Sequence, residues 1–249
     1  MNERARTFLD MILLIAGLVV SWQLLYWRVG DIAMRPPLAT VQFTIELVSG
    51  EQFAGHLFET LMAFAAALAI AVAMGLLIGL WLGFHRLSRD VLEPALIALY
   101  SIPKITLYPI LLLMFGLGIS AKIAFGAIHG IIPIALFTIT SVRNIKPVLI
   151  KTGRVMGLST WAMFRRVLFP AAIPEIFTGL RVGFALTLIG TVLGEMFASQ
   201  RGLGYLLKTA IGLHNVDQIM SVTFLLVVLA AFVSAILLAI DRRLHARAT

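Results

Sequence analysis

Pro147-Val-Leu-Ile-Lys151-Thr-Gly-Arg154-Val-Met-Gly157-Leu-Ser159-Thr-Trp161-Ala-Met-Phe-Arg-Arg166-Val-Leu-Phe-Pro170 lies in the longest basic stretch of the chain, with apolar runs on both sides. Pro147 suits the first position of a helix, where its missing N–H would be unpaired anyway. Leu149, Gly153 and Met156 then share one narrow face, and Gly157 supplies a left-handed stop. Ser159 or Thr160 caps a second helix. That helix carries Trp161, Phe164, Val167 and Leu168 on one stripe and Arg165 and Arg166 off it, the pattern of an interfacial helix whose arginine stems lie along lipid. Pro170 ends it, and Pro174-Glu175 opens the next apolar run, with proline in the first turn and a carboxylate near the positive helix end. Residues 141–175 therefore predict a surface knob between two transmembrane helices.

The rest of the composition agrees with a membrane setting. Of 249 residues, 60% are hydrophobic and 13% charged, against about 45–50% and about 25% in a soluble domain; mean hydropathy is +0.99. A transmembrane helix takes about 20 apolar residues, so the chain predicts an all-α polytopic membrane protein. It has one domain over 1–249 and six spans, at about 11–27, 57–83, 94–118, 123–140, 176–198 and 219–240. The net charge of +8 would suggest nucleic acid in a soluble protein; in a membrane protein it reports on sidedness, and no nucleic-acid partner is expected. The absence of Cys excludes disulfides, Cys-ligated zinc and iron–sulfur clusters. The apolar run from Met11 to Trp27 is longer than a signal-peptide core and ends in aromatics, so it reads as a first span.

Small residues recur every four positions at Ala67, Ala71, Gly75, Gly79 and Gly83, the spacing that lets two membrane helices approach closely. His85-Arg-Leu-Ser-Arg-Asp90 reads as a short charged turn, and Arg201 to Asp217 as a glycine-rich connection between the last two spans. The third span is interrupted by Pro103, Lys104 and Pro109 and predicts a kinked or discontinuous helix. Six spans place both termini on one side. Thirteen basic residues fall on that side: Arg4, Arg6, Arg86, Arg89, six in 141–175, and Arg242, Arg243 and Arg247 in the tail. Five fall opposite, at Arg28, Arg35, Lys122, Arg201 and Lys208. The excess of positive charge assigns the termini and the knob to the cytoplasm.

The knob resembles the cytoplasmic loop of permease subunits of bacterial ATP-binding-cassette importers. That loop reads Glu-Ala-Ala, three residues, Gly, about nine residues, then Ile-x-Leu-Pro; here Lys151-Thr152-Gly153, Gly157 and Val167-Leu168-Phe169-Pro170 occupy those places. Within the family, the run from Gly157 to Arg181 is most similar to the nitrate, sulfonate and taurine branch. Ser101-Ile-Pro-Lys, Tyr108-Pro, Phe115-Gly-Leu-Gly and Gly202-Leu-Gly-Tyr-Leu resemble that branch as well, and the likeness runs from about Leu57 to Ile240. One departure stands out: Lys-Thr-Gly replaces Glu-Ala-Ala, reversing charge at the first position and weakening the helix at Gly153.

The resemblance implies a MetI-like fold in the bacterial inner membrane. It implies a knob that docks on a separate ATPase through Lys151, Arg154, Met156, Gly157, Leu158, Ser159 and Pro170, and two copies of the permease lining one pathway. Two ATPase subunits would carry ATP and Mg, and a binding protein outside would deliver a small solute such as nitrate, a sulfonate or taurine. This chain has no Gly-x4-Gly-Lys-Ser/Thr phosphate loop, no nucleophile–base constellation and no metal-ligand spacing among its histidines, so neither a catalytic residue nor a cofactor of its own is expected.

Four ionisable residues inside apolar stretches are candidates by position. Glu195, near the far end of the fifth span, reads either as an interfacial, partly hydrated carboxylate or as a gate. Lys104 reads either as a pathway residue favouring anions or as a lysine satisfying a carboxylate or freed carbonyls. Arg181, about 10 Å into its span, is expected to snorkel to the cytoplasmic face, and His129 to be a polar packing group. An ion-coupled secondary transporter, suggested by the broken helices, is the alternative reading.

Overall fold

The computed structural model describes residues 3–246, which are mostly helical with no strand among them; Arg247 of the basic tail lies outside them. The helices are α1 (Glu3–Val29), α2 (Pro37–Ser49), α3 (Phe53–Phe84), α4 (Arg86–Ser101), α5 (Tyr108–Phe115), α6 (Ile119–Arg143), α7 (Pro147–Val155), α8 (Thr160–Met163), α9 (Phe169–Ala198), α10 (Leu203–Gly212) and α11 (Val216–Ala246). Five segments are long and apolar enough to cross a membrane: Leu9–Val29, Phe53–Phe84, Ile119–Arg143, Thr160–Phe197 and Val216–Arg242. The pair Arg86–Ser101 and Lys104–Phe115, bent by 91°, makes a sixth if counted as one span. The bend falls at Pro103, where a 3₁₀ turn over Lys104–Leu107 joins the two halves.

The centre of the molecule is α6, packed between α3 and α9. Small residues allow that close approach. A Cβ added at Gly75 would stand 2.7 Å from Ile134 Cβ and one at Gly83 2.8 Å from Val142 Cβ, while at Gly79 it would meet Thr138 and the Ala135 carbonyl. The stripe on α3 thus lies against one face of α6. In contrast α1 rests lightly on its neighbours. Trp22 donates from Nε1 to the Arg35 carbonyl at 2.9 Å, and its ring lies 6.2 Å from that of Phe224 on α11. Arg35 ties the α1–α2 connection to α11 through both oxygens of Asp217, and this hydrogen bonding raises the guanidinium's pKa above its ordinary value.

Three expectations are corrected. Pro170 does not end the second knob helix, and Pro174 does not open the fifth span: α8, a π turn over Phe164–Leu168 and α9 form one continuous helical path. The Phe169 N–H reaches back to the Phe164 carbonyl, a wider loop than the α-helical bond. Pro170 is the second residue of α9, directly after this wider turn, and Pro174 sits inside that helix. The charged turn 85–90 is the start of α4, an amphipathic helix. The segment from Arg201 to Asp217, read as a glycine-rich connection, contains α10.

Candidate functional site

The knob is built as its local chemistry dictates. Gly157 adopts φ +66, its N–H donates to the Arg154 carbonyl at 3.0 Å, and the Leu158 N–H donates to the Gly153 carbonyl at 3.1 Å. This pair of bonds is the Schellman closure of a helix, with Leu158 folded back over Gly153 as that motif favours. Ser159 then caps α8, its Oγ accepting from the Ala162 N–H at 3.3 Å. Gly153 is buried, and a Cβ there would lie 2.6 Å from Met163 Cε, so α7 and α8 meet at that point. Met156, assigned by spacing to the face of Gly153, instead turns outward.

The knob's feet are fixed and its crown is open. Ser141 on α6 donates to the Ala172 carbonyl on α9 at 2.8 Å, and Ile145, Ala172 and Ile176 form a buried cluster beside it. Phe164 bridges Trp161, Phe169 and Phe84 at the end of α3, with ring centroids 5.8, 5.9 and 6.1 Å apart. A groove of about 450 Å³ runs beneath, between Phe84, Val142, Ile150 and Met163. Above it, Val155 is 90%, Met156 70% and Trp161 68% exposed, while Lys151, Arg154, Gly157, Ser159 and Pro170 are also at the surface. Val155, Met156 and Trp161 thus form exposed apolar surface beside the basic side chains of Lys151 and Arg154.

A second constellation occupies the far end of the same three helices. Glu195 on α9 is fully buried. It is therefore not the partly hydrated, interfacial carboxylate of one of the two readings. Its carboxylate accepts from Thr60 Oγ1 on α3 at 2.8 Å and from the Gly204 N–H at 3.0 Å, and lies 3.6 Å from Lys122 Nζ on α6. Thr60 Oγ1 also accepts from the Leu203 N–H at 2.8 Å. Glu195 thus sits at the positive end of α10, where a carboxylate is stabilised by the exposed N–H groups. Lys122, 1% exposed, pairs with Glu59 at 3.0 Å and donates to Ser199 Oγ at 3.1 Å. The lysine counted with the loop charges is in fact the core of an ion network. Gly202, at φ +118, leaves room for the carboxylate, because a Cβ there would fall on Glu195.

The remaining candidates are held separately. Lys104 Nζ donates to the Tyr100 carbonyl at 3.1 Å and lies 4.7 Å from the Tyr100 ring centroid, so it satisfies a carbonyl freed at the break beside Pro103. Arg181 does not simply snorkel: it pairs with Asp241 on α11 at 3.3 Å. His129 is a packing group, with Nδ1 2.8 Å from the Phe125 carbonyl. Sequence reasoning missed Thr60, Lys122 and Asp241; the available signal was that Glu195, alone in an apolar run, demanded a basic partner at its own depth. Among the described residues no His/Cys/Asp/Glu group could hold a metal ion.

Residues 71–249 match the family described as "Binding-protein-dependent transport system inner membrane component". The chain is 25% identical over 236 residues to a putative aliphatic sulfonates transport permease of Bacillus subtilis, covering 94% of this chain and 85% of that protein. It is 30% identical over 204 residues to a formylaminopyrimidine transport permease of Halalkalibacterium halodurans (82% and 81%), and 25% identical over 221 residues to a taurine transport permease of Escherichia coli (87% and 80%). Among solved structures, the fold is similar to an inward-facing methionine ABC transporter, with TM-score 0.67, 22% identity, and coverage of 77% of this chain and 95% of that one. The chain belongs to the binding-protein-dependent transport system inner membrane components, with the MetI-like fold of ABC transporter permeases.

Proposed function

We propose that this permease is the membrane-spanning subunit of an ATP-driven importer, working as a pair of copies with two separate ATPase subunits and an extracytoplasmic binding protein. The observation that carries this reading is the knob, a Schellman-closed helix followed by a capped one, fixed to α3, α6 and α9 at its base and presenting Val155, Met156 and Trp161 outward. Force applied at the crown passes into the same helices whose other ends meet at Glu195. ATP and Mg belong to the partner ATPase, since this chain has no phosphate loop. The basic residues gathered on the knob side support cytoplasmic termini.

The cargo in this reading is a small solute, with an anion favoured by the sulfonate and taurine permeases among its relatives. The Gly157→Val variant tests the coupling role. Nothing lies within 4 Å of a Cβ at Gly157, so the substitution strains only the left-handed backbone. Membrane insertion is expected to be intact, while ATP-driven uptake and stimulation of the ATPase are lost. Normal uptake by this variant would contradict the assignment.

A further inference from the structure

At the end of the molecule opposite the knob, a cavity of about 370 Å³ opens between the start of α6, the end of α9 and α10. That volume lies at the lower end of the range for small-molecule sites. Its wall carries Arg201, Lys208, Ser199 and Gln200, with Gly118 and Ile119 contributing the N-terminus of α6. Glu59, the one acid in the lining, is already paired with Lys122 at 3.0 Å. Arg201 and Lys208 form no salt bridge among the described residues; Glu59 and Glu195 share the single positive charge of Lys122, so one negative charge is left against the two positive charges of Arg201 and Lys208, and the balance is positive. The start of α6 adds to the same sign: Gly118 provides no side-chain cap, and the first N–H groups of a helix are left without intrahelical partners.

Two basic residues thus line this cavity, Arg201 from the connection after α9 and Lys208 from α10, and the first is anchored by the network; Arg201 also borders the neighbouring cavity that holds Glu51 and His56. Lys122 Nζ donates to Ser199 Oγ at 3.1 Å and to the Arg201 carbonyl at 3.4 Å, and Ser199 Oγ is also hydrogen-bonded to the Arg201 carbonyl. The segment bearing Arg201 is therefore held in place by the network around Glu195. Guanidinium and ammonium groups with a serine hydroxyl and a glutamine amide suit the planar or tetrahedral oxygens of a small oxyanion.

We propose that this cavity is a small-oxyanion site at the outer mouth of the permease, with Arg201 and Lys208 as its binding residues and Lys122 as the positioning residue beneath them. The inference rests on the importer reading for which side is outer and for an anionic cargo, and it gives that cargo a first landing place on this chain.

Binding of radiolabelled methanesulfonate tests this, measured by equilibrium dialysis on the permease–ATPase complex in phosphatidylcholine nanodiscs without nucleotide. Saturable binding is expected, weakened at least tenfold, about 1.4 kcal/mol, in Arg201→Gln/Lys208→Gln. Both side chains are exposed, so the thermal midpoint of that variant is expected to stay that of the unaltered protein. Arg28→Gln, an exposed arginine at the end of α1, is expected to bind normally, which separates a local site from general surface charge. Absence of saturable binding, or equal binding by the double variant, would overturn the proposal. So would a double variant that binds methanesulfonate normally yet fails to dock the binding protein, because the cavity would then receive an acidic side chain of that partner. ATP-driven uptake by the same preparation in proteoliposomes tests the importer reading separately: uptake with no dialysis signal refutes the cavity alone, and binding without ATP-driven uptake counts against the importer.

Discussion

The Thr60 hydroxyl on α3 donates to the Glu195 carboxylate on α9 at 2.8 Å while accepting from the Leu203 N–H at the start of α10. One oxygen thus joins three helices where no water reaches. Truncating Glu195 to alanine leaves Lys122 paired with Glu59 at 3.0 Å but removes the acceptor of the Gly204 N–H and the Thr60 hydroxyl, and each buried group left unsatisfied costs about 1–3 kcal/mol. Thr60→Val, which keeps the shape and removes the hydroxyl, is expected to cost about 1–3 kcal/mol. Because the two groups share one network, the double variant should lose less than the sum. Thermal unfolding in detergent of the four proteins measures this, and strict additivity would show that the two residues act independently.

Gly202→Ala probes the same junction from the backbone. The new methyl group would collide with Glu195, and alanine at φ +118 is itself strained, so a loss of about 1–3 kcal/mol is expected from the backbone alone. Gly212→Ala, at the other end of α10 with open space around its Cβ position, serves as the comparison. Equal midpoints for the two variants would refute the close packing around Glu195.

Gly79→Val tests the stripe on α3. Its side chain would be forced into Thr138 and the Ala135 carbonyl on α6, where overpacking costs about 1–3 kcal/mol or more. Lower yield of folded protein and a reduced unfolding midpoint are the readouts. A midpoint equal to that of the unaltered protein would contradict the α3–α6 contact.

Arg181 and Asp241 tie α9 to α11 at 3.3 Å, with side-chain exposures of 32% and 11%. For a pair that joins a partly exposed arginine to a largely buried aspartate, a coupling of about 1 kcal/mol is expected from a double-mutant cycle of Arg181→Gln and Asp241→Asn. High salt should reduce it only in part, since partly buried pairs are screened less than exposed ones. A coupling of zero at low salt would remove the pair as a fastener of α11.

The parts of this molecule that were legible in the sequence obey local rules. Gly157 stops α7 and Ser159 caps α8 because both effects act within a few residues, and the spacing of Gly75, Gly79 and Gly83 follows from helix geometry. Pro170 and Pro174 misled for a related reason: the rule that proline ends a helix assumes α-helical bonding, and the π turn at Phe164–Leu168 changes which N–H groups are needed. Glu195 could be singled out but not interpreted, because Thr60, Lys122 and Gly204 come from three other helices. Gly202 and Gly204 read as loop residues by composition, whereas their small size serves the approach of Glu195 to the start of α10.

In the proposed importer the crown of the knob touches the ATPase. The chain contains no cysteine, so Met156→Cys supplies a single reactive thiol at a position 70% exposed. Leu213→Cys supplies an equally accessible one at the opposite end, where Leu213 is 71% exposed. With a short bifunctional crosslinker on the assembled complex in membranes, Met156→Cys is expected to join the permease to the ATPase subunit and Leu213→Cys is not. Crosslinking to the ATPase from Leu213→Cys, or none from Met156→Cys, would contradict the account.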